Sequence, residues 1–161
     1  MEDETAPELD VVQWFNADTP LSLAALRGKV VVLHAFQMLC PGCVQSGLPQ
    51  ARKIAALFPP TQVAVIGLHS VFEHHEAMTP VSLAAFIHEY RLTFPIGVDR
   101  PSQTGPIPYT MQAYGFRGTP SLVLIDRQGR IRRHSFGAED DLQVGAEIAL
   151  LVAETGDPAA A

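Results

Sequence analysis

Hydrophobic positions in this chain fall into short unbroken runs separated by stretches with helical spacing. Val30-Val31-Val32-Leu33-His34-Ala35-Phe36 and Val63-Ala64-Val65-Ile66-Gly67-Leu68 are continuous rather than alternating, the pattern of strands buried on both faces. From Val44 to Phe58 apolar residues recur at helical intervals, and Ser82 to Tyr90 reads as a second helix with Ser82 as its N-cap. Phe94 to Val98 is a short extended piece carrying a proline. Pro106 to Tyr114 is a short helix closed by Gly115. Leu122 to Ile125 and Arg130 to Phe136 form a hairpin across Asp126-Arg127-Gln128-Gly129, and Asp140 to Val152 closes the chain as an amphipathic helix. A β-α-β unit followed by a β-hairpin and a C-terminal helix implies an α/β fold, a central mixed sheet with helices on both faces.

Composition narrows the classes without changing that picture. At 161 residues the chain fits one domain, expected over residues 1–155, with the Gly156 to Ala161 tail frayed. Hydrophobic residues make up 47% and charged residues 17%, with a net charge of −6, so neither disorder nor a basic nucleic-acid footprint is indicated. Residues 1–7 are acidic where a secretory leader would be basic and then apolar, and no apolar run reaches membrane-spanning length. The expected address is the cytoplasm, or the periplasm if a leader had been removed.

The candidate chemistry lies in Cys40-Pro41-Gly42-Cys43, which contains the two cysteines of the chain. The pair sits where the first buried strand hands over to the first helix. There Cys40 takes the N-cap and Pro41 the first helical position, where a missing N–H costs nothing. Helix-end N–H groups and the dipole then favour a thiolate at Cys40, the nucleophile of disulfide exchange, and leave Cys43 one turn on as the resolving thiol. Zinc would need further ligands at tetrahedral reach, and no second cysteine pair or finger-like histidine spacing supplies them. A structural disulfide would close too small a loop to stabilise much. The stretch from His69 to Pro80 is rich in His and Glu, but His74 and His75 are neighbours that point apart. It reads as a polar loop capping or lining the site, with no metal and no cofactor expected.

The order of elements, the CxxC at the first strand-helix turn and Gly118-Thr119-Pro120 just before a strand resemble the thioredoxin-like fold, and more closely its TlpA/redoxin branch. Leu26 to Val32 is similar to the segment entering that branch's central strand, and Thr119 to Asp126 to its cis-proline strand. The resemblance implies a cis Pro120 beside the cysteines. It also implies catalytic roles for Cys40, Cys43, Pro120 and His34, and a substrate surface made by Thr119, Leu39, Pro41 and Gly42. Leu39 departs from the tryptophan usual before the first cysteine, and the one tryptophan is Trp14. His34 stands six residues before Cys40, where thioredoxins carry a buried acid, and would relay protons or merely fill the core. Peroxiredoxins carry Thr or Ser three residues before their reactive cysteine; here that residue is Gln37.

The leading expectation is therefore a thiol-disulfide oxidoreductase acting as a reductase on protein or small-molecule disulfides and fed by an unidentified electron donor. A thiol peroxidase is the runner-up. A redox-sensing or binding module is the alternative outside enzymes.

Overall fold

The computed structural model describes residues 3–154; the tail expected to fray lies outside them. Its centre is a six-stranded sheet. The strands are β1 (Val11–Phe15), β2 (Val30–Phe36), β3 (Val63–His69), β4 (Ile96–Asp99), β5 (Ser121–Ile125) and β6 (Ile131–Phe136), in spatial order β1-β4-β3-β2-β5-β6. Strands β2, β3 and β4 are parallel, while β1, β5 and β6 each run antiparallel to a neighbour. The two continuous apolar runs become the adjacent central strands β2 and β3, covered on both faces as their lack of alternation requires.

Alternation along β2 divides the core. Val30, Val32 and Phe36 face helices α1 (Leu48–Leu57), α2 (Pro80–Tyr90) and α4 (Asp141–Ala153), whereas Val31, Leu33 and Ala35 face α3 (Tyr109–Tyr114) and the N-terminal segment. The parity of His34 places it with the first group. Because β2, β3 and β4 are parallel, their carboxyl ends at Phe36, His69 and Asp99 meet at one end of the sheet. The antiparallel β5 begins there too, with Ser121 opposite Ala35. That end is where open α/β sheets gather their sites.

Several boundaries differ from the sequence reading for identifiable reasons. The cap of α2 is Thr79, not Ser82: its hydroxyl accepts the Ser82 N–H at 3.3 Å, and Pro80 occupies the first helical position. Pro95 stays outside β4, which starts at Ile96. Helix α3 starts at Tyr109, where the Asp99 carboxylate accepts the N–H groups of Thr110 and Met111 at 2.8 and 3.0 Å. Strand β1 has no counterpart in the sequence reading. Its alternation is weak, and it exists by antiparallel pairing with β4. The helix expected from Val44 to Phe58 is interrupted: a π-turn spans Cys43–Gly47, α1 begins at Leu48, and Phe58 is its extended C-cap.

Candidate active site

Strand β2 delivers the chain into a turn in which the Cys40 N–H donates to Gln37 O at 3.1 Å. Pro41 and Gly42 are already helical, and the Val44 N–H closes the first helical bond on Cys40 O at 3.1 Å. Cys40 thus caps the helix as expected. Its Sγ accepts the Cys43 N–H at 3.3 Å. Cys40 is half-buried and Cys43 fully buried; both are free thiols, with their sulfurs 2.6 Å apart. The Cys40 thiol also donates to Thr119 O at 3.4 Å.

Thr119-Pro120 is the cis peptide bond of the described residues, and Pro120 is buried beside the pair. It packs against two glycines. A Cβ on Gly42 would lie 3.2 Å from Pro120 Cδ, and one on Gly47 would lie 3.1 Å from Pro120 Cβ. These glycines are five residues apart, the spacing that a π-turn brings to one side. The same Gly47 position is 3.8 Å from His34 Nδ1, so His34 lies in the floor below the proline and the helix start.

The polar groups of this floor are kept neutral. Burial pushes the Cys43 thiol up to about 12, helped by the hydrogen bond and charge of Cys40 and opposed by the Gln37 N–H and Thr119 hydroxyl. Burial lowers His34 to about 4, with the Gln50 side chain working in the opposite direction. Its Nε2 is buried with no hydrogen-bond partner, an uncommon state for a native polar atom. His69 is also lowered to about 4 by burial, and its Nε2 accepts the Met38 N–H at 3.2 Å beneath the cysteine turn.

Leu39 is 57% exposed, Pro41 is exposed, and Gly42 and Thr119 are half-buried. Leu39 and Pro41 flank Cys40 in the chain, Gly42 packs on Pro120 and Thr119 O accepts the Cys40 thiol, so the four expected surface residues lie beside the pair, at its rim. The loop after β3 reaches this rim through Gln37, whose Oε1 accepts the Phe72 N–H at 3.2 Å. Gln37 Nε2 approaches both Glu73 Oε1 and Thr119 Oγ1 at 3.4 Å. The loop's histidines disperse: His69 is buried, His74 is exposed with φ 49°, and the His75 ring bonds Pro106 O at 3.0 Å. Sequence reasoning did not single out Gln37, Glu73 or Gly47 as site residues. Gly47 carried the one usable signal, a glycine inside a helical pattern.

A family model matches residues 3–134, most of the chain. The chain belongs to the AhpC/TSA family. Within it, the chain falls in the thioredoxin-like redoxin branch, among thiol-disulfide oxidoreductases. The crystal structure of the thioredoxin-like superfamily protein SPOA0173 is 61% identical, with a TM-score of 0.93, and covers 95% of this chain and 99% of its own. A thiol-disulfide isomerase from Corynebacterium glutamicum is 53% identical, with a TM-score of 0.89, over 93% of this chain and 98% of that one. Protein DipZ of Mycobacterium bovis is 30% identical over 139 residues, 84% of this chain. The chain spans 19% of the length of DipZ.

Proposed function

We propose that this AhpC/TSA family member reduces disulfides through its CPGC dithiol, Cys40 attacking and Cys43 resolving. The observation that carries the reading is the asymmetry of the pair: a half-exposed helix-capping sulfur beside a buried one whose proton is held tightly. The Cys40 sulfur attacks one sulfur of the substrate, whose disulfide breaks as the other sulfur leaves and takes up a proton. Cys43 then loses its proton and attacks Cys40 in the mixed disulfide. The second substrate thiol is released, and a Cys40–Cys43 disulfide remains; a reducing thiol donor restores the dithiol.

His34 is the proton acceptor in the second step. In the dithiol state Cys43, near 12, and His34, near 4, are too far apart in proton affinity for easy transfer. Burial is the main cause holding Cys43 up, but the two contributions of Cys40, its hydrogen bond and its charge, vanish once Cys40 is in a mixed disulfide, which lowers Cys43 at the step where its proton must leave. Thr119 and Pro120 seat an extended substrate segment against the rim made by Leu39, Pro41 and Gly42, and main-chain pairing gives affinity without demanding one sequence. A peroxidase is the weaker reading, because the side chain three residues before Cys40 is a carboxamide occupied by Phe72, Glu73 and Thr119 rather than a hydroxyl.

The test uses insulin with dithiothreitol as donor. Wild type should reduce it, Cys40→Ser and Cys43→Ser should both lose turnover, and only Cys43→Ser should accumulate mixed disulfides. Equal trapping by the two variants, or turnover by Cys40→Ser, overturns the assignment. Peroxide consumption outpacing disulfide reduction would favour the peroxidase, and no turnover of either substrate would leave a redox-responsive binding module.

A further inference from the structure

Gln37 is a buried polar residue of the site whose side chain disulfide exchange leaves without a task. It is 1% exposed, and its carboxamide ties three separate segments together. These are the turn before Cys40, the loop at Phe72 and Glu73, and the hydroxyl of Thr119, whose own carbonyl accepts the Cys40 thiol. Glu73 is otherwise exposed to solvent. The contact draws a carboxylate to the rim, 3.4 Å from the amide that also reaches Thr119 Oγ1, one side chain away from the backbone expected to pair with substrate. A rotamer-rich surface acid left free would spread its charge over a wide volume; a contact with a buried amide biases it towards one place.

The rest of the rim makes that charge count. Leu39 and Pro41 carry none, and Phe72 is half-buried among apolar neighbours. On the far side of Thr119, Gly118 lies under the Phe136 ring, and the Arg117 guanidinium stands 6.0 Å over that ring. An extended segment laid across Thr119 thus meets a negative group towards Glu73 and a positive one towards Arg117. We propose that Gln37 and Glu73 form a specificity element that favours disulfides flanked by a cationic group, a Lys or Arg side chain or a free amine. This rests on the disulfide-exchange reading and adds a substrate class to it. Glu73 acts on the substrate directly, and Gln37 is a positioning residue acting through it.

Peptides with one internal disulfide, identical except for Lys, Ala or Glu at a single position, placed in one series before and in another after the attacked cysteine, provide the test, with kcat/KM measured at low and high salt. The preference is expected in the series that faces Glu73 and not in the one that faces Arg117. A unit charge pair near 4 Å in water-like surroundings changes an equilibrium about five-fold, so Lys should exceed Ala by up to about five-fold at low salt, with Glu lower still. In about 1 M salt, where screening acts over ~3 Å, the ratio should fall below about two-fold. Glu73→Gln should abolish the preference, whereas Glu89→Gln, an equal charge change on the exposed side of α2, should keep it. Gln37→Leu should shrink the Lys-to-Glu ratio whatever it does to the absolute rate. Equal kcat/KM for the Lys and Glu peptides in wild type overturns the inference and leaves the exchange reading intact, as does a preference that survives Glu73→Gln. If none of the peptides is reduced, the exchange reading fails and takes the inference with it.

Discussion

Asp99 and Asp126 are each 2% exposed and stand at opposite ends of the same sheet. At the end away from the cysteines, burial works against the Asp126 charge but loses to the Arg130 N–H and guanidinium, the Arg132 guanidinium and the Gln128 N–H; its carboxyl is held below the usual range. At the cysteine end, burial dominates at Asp99, whose donors are the uncharged Thr110 and Met111 N–H groups and the hydroxyls of Ser70 and Thr110; its carboxyl is pushed up. His34, His69 and Cys43 follow the same rule of neutrality. The buried carboxyl at one end is tied down by charge, and the buried groups at the other are kept neutral until a reaction step calls for charge. Ion pairs lock geometry, whereas a sulfur that must gain and lose a proton needs neighbours that do not pin its state.

The largest expected effect that tests this contrast is acid destabilisation. His34 and His69 stay neutral when folded but take up protons near 6.5 when unfolded, so their stabilising contribution is complete above that pH and is lost as pH falls towards 4. A depression of this size corresponds to about 3 kcal/mol for each histidine. Urea unfolding at pH 7.5 and pH 4.5 should differ by several kcal/mol, and His69→Asn should flatten the acid limb. A flat profile would break the contrast. The Asp126 contribution has the same sign but a lower window, because its pKa is depressed. Asp99 has the opposite sign, since its raised pKa makes acid relieve a cost.

Substitution at the charged end comes next. Asp126→Asn removes the acceptor of charged hydrogen bonds and should cost about 3 kcal/mol, against about 1 kcal/mol for Asp99→Asn, whose donors are neutral. Denaturant midpoints compare the two, and equal costs would mean that the ends do not differ as described. A kinetic prediction sharpens the other side: His34→Ala should slow mixed-disulfide resolution by about 10²-fold and shift the pH profile of turnover, with less effect on the initial attack. Wild-type rates with only reduced stability would make His34 a core residue. The smallest effect belongs to the exposed pair of Lys53 and Asp141, 2.7 Å apart. Lys53→Ala should cost less than about 0.5 kcal/mol, because two mobile surface side chains in water gain little by meeting.

Much of this was legible in the chain itself. The unbroken runs at residues 30–36 and 63–68 could bury themselves only in the middle of a two-sided sheet, and a proline directly after Cys40 can start a helix but not continue one. Those are local constraints of sterics and hydrophobicity, so they survive in one dimension. The hairpin with Gly129 at φ 83° and the Gly115 cap at φ 64° are local in the same sense. Strand β1 was not legible, because an edge strand with a weak pattern is defined by its partner. Tertiary structure alone decided that Gly42 and Gly47 share Pro120, that Gln37 meets Thr119 and Glu73 from 82 and 36 residues away, and that the His34 Nε2 is stranded without a partner. Such contacts join residues far apart along the chain, and whether a polar atom is satisfied depends on everything packed around it, which no local pattern encodes.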